Sequence, residues 1–105
     1  MSNRSLLSVE PSGVARVDGA LTLATVAELY DEAKLAAKDG RPMKSLDLGA
    51  VSHVDSSGLA LVLEWQSEAR NDGRSIAVSN APEDLLSLAR LCEASELLTM
   101  DGRDS

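Results

Sequence analysis

Phenylalanine is absent from this chain of 105 residues, and tryptophan and tyrosine occur once each. The apolar content is nonetheless 44%, so the core has to be assembled from Leu, Val and Ala. A chain of this length buries roughly two-thirds of its unfolded surface, enough for one self-supporting domain. That domain is expected to span residues 1–105, with a core over about 5–100 and a loose tail at 101–105.

Cysteine is almost absent as well. Cys92 stands alone, which excludes an intramolecular disulfide and a cysteine metal cluster. A cytosolic location fits that usage. His53 is the one histidine, so a zinc site or a Ser-His-Asp triad would each rest on it. Basic residues are scarce: 10 Lys and Arg stand against 17 Asp and Glu, for a formal net charge of −7. Direct binding to nucleic acid or to anionic lipid headgroups is therefore not expected, since both need a basic surface. Long apolar runs are missing too. The longest, Leu59 to Leu63, falls far short of the roughly 20 residues that span a bilayer. The opening "MSNRSLLSVE" has no apolar h-region of the signal-peptide kind. Any link to a membrane must then run through a partner. No Gly-rich phosphate loop occurs, and no cofactor is expected.

What is present reads as alternating strands and helices. "SLLSVE", residues 5–10, suits a first strand, and Pro11-Ser12-Gly13 a turn. "VARVD", Val14 to Asp18, alternates apolar and polar residues as a half-buried strand does, and Gly19 ends it. From Leu23 the spacing turns helical through Val26, Ala27, Tyr30, Ala33 and Ala37. Thr22 or Thr25 would cap that helix and Gly40 would stop it. "MKSLDLG" predicts a strand ending near Leu48, followed by a bend at Gly49-Ala50. A second helix is expected from Ser56 to about Asn71, closed by Gly73. "RSIAVSN", residues 74–80, predicts another strand. Asn80 would cap a third helix, with Pro82 near its first position, Glu83 at its third, and a stripe of Leu85, Leu86, Leu88, Ala89 and Cys92. "ELLTM" would be a short last strand. This alternation implies an α/β fold with a mixed sheet.

The chemistry gathers in "SHVDSSGLALVLEW", residues 52–65. Asp55 precedes a helical run, where its carboxylate can accept from the N–H of Ser57 or Gly58. Ser56 and Ser57 then become the first two helical residues, at an end that attracts anions and is open to another protein. Gly58 suits either close packing of helix on sheet or close approach by a partner. At about 100° per residue, Leu59, Val62, Leu63, Trp65 and Ala69 share a broad apolar arc. Ser57, Ala60, Glu64 and Glu68 gather opposite it. Leu61 and Trp65 fall at the edge of the arc, where Trp65 fits the core or a binding anchor. Enzyme readings fare poorly. An Asp-capped serine is not activated, and "DSSG" is not a Gly-x-Ser-x-Gly elbow. Asp47 and Asp55 alone make a weak case for a metal.

The segment from "SLDLGAVSHVDSSG" onward resembles the STAS domain, the fold of anti-sigma-factor antagonists. That pattern is a strand ending in Asp-Leu, a short loop, then Asp-Ser/Thr-x-Gly opening a helix. Asp47-Leu48 and Asp55-Ser56-Ser57-Gly58 match it at the expected separation. The resemblance implies a small mixed β-sheet with helices packed mainly on one face. "GLALVLEW" and "LLSLARLCEASELL" look like the MlaB type of STAS domain. It implies a non-enzymatic, cytoplasmic subunit, peripheral to the inner membrane, that binds the MlaF-like ATPase of a phospholipid ABC transporter maintaining outer-membrane lipid asymmetry. A common aromatic of the third helix is replaced by Cys92. The alternative is an anti-sigma-factor antagonist, in which Ser56 would be phosphorylated by an anti-sigma kinase. Under either reading the expected contact surface comprises the loop Ala50 to Val54 with His53 at its rim, the helix start Asp55, Ser56, Ser57 and Gly58, and the face bearing Ala60 and Glu64.

Overall fold

The computed structural model describes residues 6–92. The expected strand at "ELLTM" and the tail at 101–105 lie outside the described residues. Nine elements follow in order: β1 (Leu7–Val9), β2 (Val14–Val17), β3 (Gly19–Leu21), α1 (Val26–Lys38), β4 (Ser45–Asp47), β5 (Val51–Val54), α2 (Ser56–Asn71), β6 (Ala77–Ser79) and α3 (Glu83–Leu91).

Strands β1, β2, β4 and β6 form one mixed sheet in that order, antiparallel between β1 and β2 and parallel thereafter. The β1–β2 turn closes through Gly13, whose φ of +98° a side chain would resist. The register places Leu7, Val9, Ala15, Val17, Leu46 and Val78 on one face, and all six are buried. Ser8, Arg16, Asp47 and Ser79 alternate onto the other face and stay polar. There Arg16 bridges Glu10 at 3.0 Å and Asp47 at 3.3 Å. The helices cover the buried face, closing an aliphatic core in which Leu21, Leu29, Leu46, Leu48 and Leu85 are fully enclosed.

The structure corrects the expected order in several places. β2 ends at Val17, just before Gly19, but a further strand begins at Gly19 itself. Its φ of +107° redirects the chain into β3, which pairs in parallel with β5 as a separate two-stranded sheet. The expected loop from Ala50 to Val54 is therefore mostly strand. Helix α1 begins at Val26, three residues later than its apolar spacing suggests. Residues 22–25 form a turn, with the N–H groups of Thr25 and Val26 donating to Thr22 O. Thr25 holds the N-cap position, but its hydroxyl donates back to Ala20 O and caps no helical N–H. Leu23 is consequently 73% exposed and not part of the core stripe.

Asn80 is not the cap of α3. It sits at φ 56°, and its side chain donates to Asp47 Oδ1 at 3.0 Å. Pro82 takes the N-cap position instead, so Glu83 is the first helical residue and not the third. The strand expected over 74–80 contracts to Ala77–Ser79. Of the α3 stripe, Leu85 and Ala89 are buried, Leu86 and Leu88 are half-buried, and Cys92 is exposed beyond the helix end.

Candidate functional site

Helix α2 runs from Ser56 to Asn71 with Asp55 as its N-cap. The Asp55 backbone is extended, and its Oδ1 accepts from the Gly58 N–H at 3.1 Å. Its Oδ2 accepts from the Leu23 N–H, also at 3.1 Å. One carboxylate thus ties the start of α2 to the turn that leads into α1. The Leu23 N–H, followed by the α2 amides, holds the Asp55 carboxyl below its ordinary range, so the group is ionised at neutral pH.

The expected site residues separate according to what each one faces. His53 is exposed on β5, its Nδ1 lying 3.2 Å from Ser52 Oγ. Ser56, Ala60 and Glu64 are exposed and Ser57 is half-buried. Gly58 is withdrawn from the surface. It is buried, and a Cβ added to it would overlap the carbonyl oxygen of Leu21 and lie 2.8 Å from Leu21 Cγ. The close approach that Gly58 permits is that of α2 to β3, so a partner cannot touch it. Trp65 is buried at 5% exposure, as are Leu61 and Gln66. Gln66 donates from Nε2 to Ile76 O at 3.0 Å, joining α2 to the strand region beyond it.

The two serines of the motif face different grooves. Ser57, Ala60 and Glu64 line a groove of about 490 Å³ whose far wall is Val26, Ala27 and Tyr30 of α1. Ser56 and Asp55 line another, of about 500 Å³, whose far wall is Asp84, Ser87, Leu88 and Leu91 of α3. The start of α2 is a ridge between them. Sequence reasoning missed both far walls, because the pairing of helices is a tertiary matter. Leu91 did carry a signal: it falls off the α3 stripe, and it is 81% exposed.

Carboxylates surround Tyr30. Its hydroxyl donates to Glu68 at 2.6 Å, and Glu68, with lesser help from burial, Glu64 and Asp31, raises the phenol above its ordinary value. Asp47, the other aspartate of the motif, is fully engaged away from the ridge. It accepts from Asn80, the Gly49 N–H and Arg16, and these contacts, Asn80 first, lower its carboxyl. Among the described residues, no group of three or more His, Cys, Asp or Glu is placed to hold a metal ion. No helix among them is long and apolar enough to cross a membrane.

Comparison with solved structures finds the same fold elsewhere. The anti-sigma factor antagonist SpoIIAA in its unphosphorylated form superposes with a TM-score of 0.67 at 17% identity, covering 92% of this chain and 89% of that one. The native form of Mglu gives a TM-score of 0.56 at 18% identity, covering 74% of this chain but 24% of that much longer one. No curated protein matches. The family model described as "Mlab, STAS domain" matches residues 7–99, which span all nine elements, and the chain belongs to that family.

Proposed function

We propose that this protein is the STAS subunit of an Mla-type phospholipid ABC transporter, binding its MlaF-like ATPase and supporting its assembly and activity in outer-membrane lipid asymmetry. The carrying observation is the family match over residues 7–99. The geometry agrees with a binding role: the ridge at the start of α2 offers hydroxyls and apolar grooves. His53, Asp55, Ser56, Ser57, Ala60 and Glu64 form the contact surface, and Gly58 and Asp55 hold it in place. Lipid handling belongs to the complex. The subunit stays cytoplasmic and reaches the inner membrane through its partner.

The test is the affinity of the purified protein for the ATPase of the same organism's Mla-type transporter. Ser56→Glu puts charge and bulk on the ridge and should weaken binding by about tenfold or more. Ser56→Ala leaves the Asp55 cap intact and should do much less. An unchanged affinity in Ser56→Glu would remove this surface from the interface.

The exposed Ser56 hydroxyl at a helix start also favours a second reading, an antagonist switched by an anti-sigma kinase. Helix amides would tolerate a phosphate there. Asp55 and Asp84 line the same groove, however, and would repel it. That repulsion weighs toward a constitutive contact.

A further inference from the structure

The groove on the α3 side of the ridge has a far wall that lies outside the sequence motif. Val54, Leu88 and Leu91 give it an apolar lining, while Asp55, Ser56 and Asp84 supply its polar rim. Leu91 is 81% exposed, the largest exposure among the bulky apolar side chains described. Both charged groups on the rim are carboxylates, and Asp55 is held ionised by the amides it accepts from. Arg90, the nearest cation in the α3 sequence, reaches the groove wall at Ser87, but its charge is paired with Glu83 at 3.1 Å. An occupant must therefore bring apolar surface and positive charge together.

The geometry points to this groove as a second docking site for the same partner, filled by a segment of it with a bulky aliphatic side chain flanked by Lys or Arg. The inference rests on the ridge being a partner surface, and extends the footprint across α2 onto α3. Leu91 is the apolar anchor, Asp84 and Asp55 receive the cation, and Ser56 shares their polar rim. A chain with a formal net charge of −7 draws such a segment in from a distance.

Two experiments test it. In the first, affinity for the same ATPase is measured for Leu91→Asp, Asp84→Lys and, on the α1 side, Ala60→Arg. All three positions are exposed, so folding is spared. Leu91→Asp should weaken binding by about tenfold, and Asp84→Lys by about threefold with the loss shrinking as salt is raised. If only Ala60→Arg weakens binding, the α3 site is overturned while the proposed function stands. The second experiment needs no ATPase. A helical peptide of Leu and Lys is titrated into the isotopically labelled protein, with a Leu and Glu peptide as control. Amide shifts at Val54, Asp84, Leu88 and Leu91 with the basic peptide alone support the site. Equal shifts with both peptides, or shifts confined to other surfaces, overturn it. A dimer that dissociates in Leu91→Asp would make a second copy the occupant and overturn it as well.

Discussion

The two faces of α2 are built to different tolerances. On the buried side, Gly58 meets Leu21 with no room for a methyl group, and Leu59, Val62 and Ala69 pack beyond it. On the outer side, Ser56, Ala60 and Glu64 touch grooves that remain open. A single helix thus carries both the fold and the candidate site, yet the two share few residues. Substitutions on the buried face should change stability and leave the affinity of the folded protein alone. Those on the outer face should do the reverse.

Gly58→Ala should break the buried face by a clash with the backbone. Helix propensity favours Ala over Gly by about 1 kcal/mol, so an unconstrained site would gain stability. Here the added Cβ overlaps a backbone oxygen, and neither Leu21 nor the helix can yield without moving β3. We expect a net loss of about 3 kcal/mol, at the upper end for overpacking, read from urea denaturation. A stabilised variant would show that α2 and β3 are not in close contact.

Asp55 belongs to both faces, so its loss should register in both measurements. Asp55→Ala removes the Gly58 cap and the tie to Leu23. The melting temperature should fall by roughly 5 °C, and partner affinity should drop because the turn before α1 is released. The charge matters too. Asp55 and Asp47 both have lowered carboxyl values in the folded protein. Their contribution is therefore fully present above the ordinary value near 3.8 and is lost as pH falls through the lowered ones. Melting temperature should decline below about pH 4, less steeply in Asp55→Asn. An equal decline in that variant would assign the pH dependence to Asp47 and other groups.

Local signals explain what was legible in the sequence. Helix α2 could be read from end to end, because an Asp cap, a sustained apolar arc and a terminating glycine, Gly73 at φ +73°, all lie within it or next to its ends. The bond from Asp55 to Gly58 spans three residues and follows from cap geometry, whereas the bond to Leu23 spans 32 and does not. Strands β3 and β5 have three and four residues, and their pairing joins Gly19 to Val51. Such short segments show no periodicity of their own. The turn at 22–25 imitates helical spacing, which drew Leu23 into a stripe it does not join. Of the candidate site, the ridge was legible and the walls were not, since Tyr30 and Leu91 reach it only through helix packing.

Trp65 offers the smallest effect and the finest test of the buried face. Its ring is buried, yet its Nε1 has no hydrogen-bond partner among the described residues. A buried unpaired donor costs about 1–3 kcal/mol. Trp65→Phe removes that donor and also some apolar contact, so the two changes nearly cancel and stability should shift by less than about 1 kcal/mol. Trp65→Ala removes the contact without compensation and should cost about 3–5 kcal/mol. The Phe variant thereby separates the ring's packing from its polar atom. A loss above about 2 kcal/mol in Trp65→Phe would mean that the indole N–H finds a partner in solution. A near-zero value would mark this end of α2 as forgiving, where the Gly58 end is not, and would leave partner affinity untouched because Trp65 lies wholly on the inner side of the helix.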